Sequence, residues 1–342
     1  MNYFIKLSAK DQEETIKKAA FDLGLREDIV EKDFWVCWTL DKLFSLKKFE
    51  GKLIFKGGTC LSKAYDVIKR FSEDVDITID KSVIEPYFHR FGTSKKHKEE
   101  IKRVRKSTDC FIKEELLPAL RSAFDSELPA NSSWSLKEIN GDIIFEFPLT
   151  RSNKLPLAVP FALSNNYNYI KPSIKLEIGA RGDTFPADHK LITPYLAKVL
   201  PKNTIKSTQV KVLDVKRNFI EKLLILHSVC SNPDGDLKPN YSRHYYDVYA
   251  LIKSGIGTRA IEYPEILEAV VKNTRFYWGE NWVNYDDIKS FNNLLLVPED
   301  EEKTKKLKED YGQMEEMFFA KFPSFDEIQQ ELKKFANLIK SK

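Results

Sequence analysis

The segment from Lys56 to Asp80, KGGTCLSKAYDVIKRFSEDVDITID, constrains the fold more than any other part of the sequence. Its last seven residues alternate strictly between polar and apolar side chains, and a period of two predicts a β-strand with one carboxylate-bearing face. A short apolar run, Leu53 to Phe55, predicts a second strand. The glycine pair Gly57–Gly58 ends that strand and opens a helix. The segment therefore predicts a strand–glycine–helix–strand unit.

This unit has two features that suit phosphate and metal chemistry. Glycines let backbone N–H groups approach a ligand, and a helix N-terminus favours an anion, so Gly57 and Gly58 are expected to bind phosphate oxygens. Asp74 and Asp76 share one strand face, where two carboxylates repel each other unless a cation lies between them. Mg²⁺ prefers such oxygen ligands and also keeps water and nucleotide phosphates. The pattern predicts a metal–triphosphate site, although a glycine pair or a DxD motif alone often has no such role.

Length and composition exclude several classes of protein. A chain of 342 residues suits two compact units or one large domain with an appendage. The 42% of hydrophobic residues allows a sizeable core, and the chain is not expected to be wholly disordered. No apolar run approaches the ~20 residues that span a bilayer, and the N-terminus has no signal-peptide core. The four scattered cysteines form no CxxC, so we expect neither disulfides nor zinc, and a cytoplasmic location.

Hydrophobic periodicity predicts helices before and after a sheet-rich centre. Two helices are expected within residues 8–44, with Ser8 as N-cap and Gly24 as the stop signal. The glycine helix is expected to run to Ile68. Strands are predicted within residues 134–149 and 170–180, and helices within residues 95–124, 214–230, 242–254, 258–273 and 287–340. This is an α/β (α+β) chain, and we place a division between a core at residues 1–205 and a helical domain at 206–342.

The strand–glycine–helix–strand unit resembles the DNA polymerase β-type nucleotidyltransferase superfamily, whose signature is GG or GS, a helix and a DxD strand. The fuller strings FKGGTCLSKAY and RFSEDVDITID are similar to the AbiEii/AbiGii abortive-infection toxin family. The strings VEKDFWVCWTLDKLF, EKLLILH and RHYYDVYAL match the same family, in order, between residues 30 and 251. The resemblance implies a small mixed sheet of the polymerase β-type core, flanked by N-terminal helices and followed by a mainly helical region that contributes to the nucleotide site.

The superfamily also implies a catalytic carboxylate set that binds the metal. Asp74 and Asp76 match the DxD aspartates. A third carboxylate is expected on a neighbouring strand, and Glu177 is our candidate because it faces out of the alternating run IKLEIGAR. The alternative is a surface glutamate paired with Lys175. Two weaker rivals lie on another strand-like run, Asp142 and Glu146.

Several residues around the glycine helix are candidates for nucleotide binding. Thr59 and Lys63 lie on its first turns, although Lys63 could instead be a solvated helix charge. In the family the serine of RFSED lies beside the nucleotide phosphates, which makes Ser72 a candidate phosphate contact. Arg70 could bind phosphate or form an ion pair with Glu73.

The resemblance assigns further roles in the second half of the chain. Lys222 matches the lysine of EKL and would place a point charge on the triphosphate, although a lysine there could also be a helix-surface charge. Asp247 matches the aspartate of RHYYD and would orient Lys222 by an ion pair or help to bind the nucleotide. Arg243 is a candidate phosphate ligand, whereas His244 is expected to pack or cap a helix.

The expected acceptor is RNA, because the resemblance implies the tRNA 3′ end as a substrate of some relatives. The run KKHKEEIKRVRK, residues 95–106, has seven basic and two acidic residues, a local charge of +5 against a formal +4 for the whole chain. Such a stripe attracts a phosphate backbone, or it is simply a solvated helix face. Three clustered aromatic residues could stack on bases or belong to the core: Trp278, Trp282 and Tyr285.

These observations predict a Mg²⁺-dependent nucleotidyltransferase that moves a nucleoside monophosphate from an NTP to RNA. Its expected setting is a toxin–antitoxin or phage-defence (abortive infection) system with a cognate antitoxin and no membrane partner. The alternatives are a non-catalytic RNA-binding relative, nucleotidyl or phosphoryl transfer to a protein hydroxyl, and a metal nuclease.

Overall fold

The computed structural model describes residues 1–72, 74–92, 96–150, 172–235, 237–318 and 321–341. The chain forms two compact units that alternate along the sequence. The first, here called the sheet unit, comprises Met1–Ala64, Glu73–Ala180 and Asp188–Val212. The second, the helical unit, comprises Tyr65–Ser72, Arg181–Ala187 and Leu213–Lys342. The division predicted at residues 205 and 206 stays a prediction, because compactness does not test whether a segment folds independently.

The two helices predicted within residues 8–44 are present as α2 (Ala9–Leu23) and α3 (Glu27–Phe44). A short helix that was not predicted, α1 (Asn2–Ile5), precedes them. The Ser8 hydroxyl accepts a hydrogen bond from the Asp11 N–H at 3.2 Å, and Gly24 ends α2 in the left-handed conformation at φ +63°. Both are standard signals of a helix start and a helix end.

A seven-stranded mixed sheet confirms the predicted α/β class. Its strands lie in the order β3-β4-β5-β2-β1-β7-β6. β2 runs parallel to β5 and antiparallel to β1, while β1 runs parallel to β7. The strand bounds are β1 Leu53–Lys56, β2 Asp74–Ile79, β3 Ser135–Ile139, β4 Asp142–Glu146, β5 Ser173–Gly179, β6 Ala187–Ile192 and β7 Thr208–Leu213.

The helix after the glycine pair is shorter than predicted. Helix α4 is Gly57–Lys63, not a helix to Ile68, and Asp66 adopts a left-handed backbone at φ +52°. An L-residue in that conformation interrupts a right-handed helix, and aspartate tolerates it better than most residues. The other predicted helical stretch, residues 95–124, forms α5 (His97–Phe111), a π-helical turn and α6 (Leu117–Asp125).

Aromatic residues fill the core of the sheet unit. Trp38 on α3 is fully buried and lies 4.5 Å from Phe124 and 5.8 Å from Phe145, measured between ring centroids. Trp35 stacks on Phe147 at 5.7 Å. Such offset and edge-to-face contacts add to the hydrophobic burial of the rings. The apolar face of α3 therefore anchors the sheet on its core side.

The helical unit contains six helices among the described residues. Residues 288–299, part of the region predicted as helix, contain only the short turn Phe291–Asn293. Pro298 lies in this part of the chain. Proline cannot supply the backbone donor that a helix interior needs. No helix in the described parts of the chain is long and apolar enough to cross a membrane. The helix bounds are α7 Val215–Ser231, α8 Ser242–Lys253, α9 Ile256–Ala260, α10 Pro264–Trp278, α11 Glu301–Gly312 and α12 Phe325–Ser341.

We expect Trp38→Ala to destabilise the protein by roughly 3–5 kcal/mol, because it leaves a cavity among packed rings. Urea denaturation followed by circular dichroism measures the change. Phe21→Ala is the matched control, since Phe21 is 88% exposed and its loss should change stability by less than about 0.5 kcal/mol. Equal costs for the two variants would contradict the assigned core.

Candidate functional site

A row of charged residues crosses four strands of the sheet unit. Asp76 on β2 lies opposite Lys56 on β1 and opposite Glu177 on β5. Glu177 in turn lies opposite Asp142 on β4. Residues directly opposite each other on neighbouring strands place their side chains on the same face. Asp74 is on this face too, since it is two residues from Asp76. The structure thus groups Asp74, Asp76 and Glu177 on one sheet face.

The first glycine of the pair lies against this acidic face. Gly57 has φ +76°, and a Cβ built there would lie 1.9 Å from Oδ2 of Asp76. A side chain at residue 57 would force the Asp76 carboxylate to move, and the positive φ favours glycine independently. The hydroxyl of Thr59 donates a 2.6 Å hydrogen bond to the backbone carbonyl of Asp74. Helix α4 is therefore held directly beside the DxD strand.

Lys175 balances charge on the same face. Its ammonium lies 2.5 Å from Glu177 and 3.1 Å from Asp142, and its position on β5 is opposite Asp74. Burial alone lowers the pKa of Lys175, but the hydrogen bonds to the two carboxylates outweigh it and raise that pKa. Glu177 thus has the lysine partner considered in the sequence analysis, and its role as a third metal ligand stays a prediction.

The described residues contain no group of three or more His, Cys, Asp or Glu side chains arranged to hold a metal ion. The oxygen donors that could bind a metal are then the carboxylates of Asp74 and Asp76 on β2, next to Gly57. Of the two rivals for the third carboxylate, Asp142 contacts Lys175, whereas Glu146 is exposed and bonds the Ser135 hydroxyl.

Lys63 is buried, in contrast to a solvated helix charge. Its ammonium lies 2.6 Å from the carboxylate of Asp33 and 3.9 Å from the centroid of the Tyr195 ring. Burial disfavours the charged lysine, but Asp33 outweighs that effect and raises the pKa of Lys63. The ion pair connects α4 to α3. The proposed contact between Lys63 and a nucleotide stays a prediction.

The helical unit contains a buried ion cluster around Asp247. Arg70 donates to both carboxylate oxygens of Asp247, at 2.7 and 2.8 Å, and Lys222 Nζ lies 2.8 Å away. Asp247 has no exposed surface, while Arg70 and Lys222 are 2% and 6% exposed. Burial raises the pKa of Asp247, but the two cations outweigh it and hold that pKa well below its usual range. The cluster has a net charge of +1.

Arg243, His244 and Ser72 lie close in sequence to the residues described above: the first two near Asp247, and Ser72 near the DxD strand. Arg243 and His244 are in the first turn of α8, which also carries Asp247. Burial, followed by the charges of Lys222 and Arg243, lowers the pKa of His244 well below its usual value, so the imidazole is neutral at pH 7. Ser72 is half-buried and precedes β2 by two residues.

Some basic side chains of the run at residues 95–106 make local contacts. Arg103 pairs with Glu100 at 2.7 Å and its guanidinium lies 4.4 Å from the Phe88 ring centroid. Lys106 lies over Phe91. Lys95 is outside the described residues. Cation–π contacts of this kind use part of the stripe to cover aromatic surface.

The aromatic residues considered for base stacking, of which Trp278 and Trp282 are exposed, also have local partners. The Arg181 guanidinium lies 3.8 Å from the Trp278 ring centroid, and the Trp282 indole donates to the Ser228 carbonyl at 3.1 Å. The Tyr285 hydroxyl accepts a hydrogen bond from the Glu280 N–H. Stacking of RNA bases on these rings stays a prediction.

Sequence reasoning missed most of the ion pairs at these sites. The alternation of IKLEIG could have found the position of Lys175, because Lys175 and Glu177 share a strand face with the DxD carboxylates once β5 pairs with β2. Nothing in the sequence could have identified the partners Arg70–Asp247 and Lys63–Asp33. Each pair joins residues that are far apart in the chain.

Comparison with known proteins identifies the family. The sequence model of the nucleotidyl transferase AbiEii toxins, from type IV toxin–antitoxin systems, matches residues 38–331. The chain belongs to this family of nucleotidyltransferase toxins. Membership supports an enzyme that uses an NTP and has an antitoxin as partner.

Among the solved structures that are similar to this AbiEii toxin is MenT4, a nucleotidyltransferase toxin from Mycobacterium tuberculosis H37Rv, with 12% sequence identity and a TM-score of 0.41. The similarity covers 95% of this chain and 98% of MenT4. No curated protein sequence matches.

We expect Gly57→Ala to destabilise the sheet unit more than Gly24→Ala does. Both glycines have a left-handed backbone, which costs an L-residue about 1–2 kcal/mol, but only Gly57 also meets a side chain. In an Asp76→Ala background the two closest atoms are removed, so the excess cost should largely disappear. Urea denaturation of the four single and double variants measures this coupling. Full additivity would show that Asp76 does not contact Gly57 in solution.

We expect Asp247→Asn to lower the free energy of unfolding by roughly 3–5 kcal/mol, because it leaves two buried cations without a counter-charge. The folded-state pKa is below that of unfolded aspartate, so the stabilisation is present above pH ~4 and is lost only as the pH falls through the lower value. The difference from wild type should therefore be similar at pH 7 and pH 5. Glu268→Gln, at an exposed position on α10, is the control. A cost within about 0.5 kcal/mol would contradict the cluster.

Proposed function

We propose that this AbiEii-family toxin transfers a nucleoside monophosphate from an NTP to an RNA acceptor, a tRNA 3′ end, with release of pyrophosphate. The reaction depends on a divalent metal, Mg²⁺, and takes place in the cytoplasm as part of toxin–antitoxin or phage-defence biology. Family membership supports the transfer chemistry and the antitoxin partner. The metal, the acceptor and the site residues belong to the proposal.

The observation that supports it most directly is the fit between Gly57 and Asp76. The missing side chain at residue 57 allows the backbone of the glycine turn to approach the DxD carboxylates. Phosphate oxygens that bind the Gly57 and Gly58 backbone would then lie close to Asp74 and Asp76. A binding protein without catalysis has no need to place two carboxylates beside a phosphate-binding turn.

The residues present fit a divalent metal. Asp74 and Asp76 supply oxygen donors on one strand face, and Mg²⁺ binds through one or two carboxylates while phosphates and water complete its coordination. A bound Mg²⁺ would stabilise negative charge on the triphosphate and favour attack by the acceptor hydroxyl. Glu177 is the proposed third carboxylate. The Lys175 ammonium lies 2.5 Å from the Glu177 carboxylate and limits the repulsion between carboxylates while no cation is bound.

Some of the remaining candidate residues are proposed to bind the triphosphate, and others to position residues that do. Lys222 and Arg243 are proposed to bind triphosphate oxygens, since the Asp247 cluster retains a net positive charge. Asp247 fixes the Lys222 ammonium, and Arg70 in turn holds Asp247 in place. Thr59 positions the DxD strand through its hydrogen bond to Asp74. Ser72 is a proposed phosphate contact because of the family resemblance, and Lys63 because of its position on the first turns of the glycine helix.

The test is incorporation of label from each α-³²P-labelled NTP into total tRNA in the presence of Mg²⁺. We expect wild-type protein to label tRNA with at least one NTP and the variants Asp74→Asn and Asp76→Asn to lose activity by about 100-fold or more, because these carboxylates would contact the reacting centre. Asp22→Asn removes an exposed carboxylate on α2 and should retain activity.

Other outcomes would select other functions. Label on protein but not on RNA would identify a protein-modifying enzyme. Shortened RNA without incorporation would identify a nuclease. RNA binding without triphosphate binding, measured by isothermal titration, would identify a non-catalytic relative. Near-normal activity of either aspartate variant would refute the assigned metal ligands.

A further inference from the structure

A cavity of about 280 Å³ lies within the helical unit, at the C-terminal end of α7. The connector between α7 and α8 contributes Asp234 and Lys238 to its walls, and Tyr241 precedes α8. The segment after α10 contributes Glu280 and Trp282. The volume is just below the roughly 300–1,000 Å³ of small-molecule sites, so the cavity suits one compact ligand.

The aromatic walls of the cavity are held by contacts with neighbouring residues. The Trp282 indole N–H donates to the carbonyl and to the hydroxyl of Ser228, at 3.1 and 3.3 Å. The Tyr241 ring packs edge-on against His244, with 5.5 Å between the ring centroids. Rings held in this way lose little freedom when a ligand stacks on them, which favours binding.

The charged side chains in the walls differ from the rings in their contacts. Among the described residues, the carboxylates of Asp234 and Glu280 make no hydrogen bond and no ion pair, and the Lys238 ammonium makes only a distant contact, 5.8 Å from the Tyr241 ring centroid. The backbone beneath Asp234 is nevertheless fixed, because its N–H donates to the Asn232 side chain at 3.0 Å. The described residues of the cavity therefore offer two carboxylates and one ammonium to a ligand.

We propose that this cavity binds a guanine nucleotide, supplied by an unpaired residue of the RNA acceptor. An aromatic ring in the walls would stack on the base, as in single-strand-binding proteins. A carboxylate accepts both N1–H and N2–H of guanine, the base that presents two neighbouring donors on its Watson–Crick edge. Adenine, cytosine and uracil place an acceptor beside the donor, which a carboxylate repels. Lys238 would bind the phosphate.

Other ligand classes fit the same walls less well. A simple anion would meet two carboxylates and one lysine. A basic peptide side chain would find the carboxylates and rings but would be repelled by Lys238. A nucleotide uses the rings, the acceptors and the cation together. The RNA source rests on the proposed function, whereas the guanine chemistry does not.

The test measures binding without metal and without NTP, so it is independent of transfer activity. The full-length chain is titrated with 5′-labelled UUGUU and UUAUU pentamers, followed by fluorescence anisotropy, with GMP, AMP and a tetra-arginine peptide as competitors. We expect wild type to prefer UUGUU by about tenfold, as the loss of a charged hydrogen bond predicts, and GMP to compete better than AMP. Asp234→Asn/Glu280→Gln should abolish the preference, while Glu268→Gln should keep it.

Thermal melting shows whether the double variant is folded, and the single variants Asp234→Asn and Glu280→Gln repeat the test if it is not. Equal binding of the two pentamers by wild type, or an unchanged preference in the folded variants, would overturn the proposal. Selective binding of GMP without pentamer preference would assign the cavity to a free nucleotide and overturn the RNA source. Competition by tetra-arginine alone would assign it to a basic protein partner. Retained guanine selectivity without any transfer activity would count against the proposed function only.

Discussion

The buried carboxylate of Asp247 determines how the chain folds between the glycine helix and the DxD strand. Arg70 lies in that spacer, and its bidentate bond to Asp247 holds the segment Tyr65–Ser72 within the helical unit. Two further bonds support it, from the Lys69 N–H to the Tyr246 hydroxyl and from the Phe71 N–H to the Met317 carbonyl. A spacer that must reach these partners cannot continue α4.

This constraint also explains the length of the spacer in the motif. Residues 59–73 separate the glycine pair from Asp74, and eight of them, Tyr65–Ser72, belong to the helical unit. A shorter spacer could join the helix to the strand but would not supply Arg70 to Asp247. Since Asp247 also binds Lys222, one buried carboxylate links three separate parts of the family motif. A single unpaired cation in that position would cost several kcal/mol, so the three parts depend on each other.

The carboxylates on the acidic face of the sheet are in a different environment from Asp247. They stay partly solvated, and a lysine on a neighbouring strand moderates their repulsion without removing their charge. Lys175 bridges Glu177 and Asp142 there. In the buried cluster, Arg70 and Asp247 are thus suited to a permanent structural role, in which Asp247 holds Lys222 for its proposed phosphate contact. On the sheet face, a bound cation would take over the carboxylate charge that Lys175 otherwise balances.

The sequence predicted the features that depend on local order. Alternation gave β2 and β5, and capping signals gave α2. Strands β6 and β7 were not predicted. β6 lies at an edge of the sheet and has a charged or polar residue at three of its six positions. Ion pairs such as Arg70–Asp247 and Lys63–Asp33 were hidden because a charged residue does not indicate its partner until tertiary packing brings the two together.

The C-terminal region, where the sequence shows no motif, has a positional role in the structure. Asp310 on α11 accepts hydrogen bonds from the N–H groups of Asn240 and Ser242 at the start of α8. A carboxylate at a helix N-terminus satisfies free backbone donors and opposes the helix dipole. Lys303 on the same helix donates to the Asn232 carbonyl at the end of α7. Helix α11 therefore holds the two helices that carry Lys222 and Asp247, although its own sequence shows no motif.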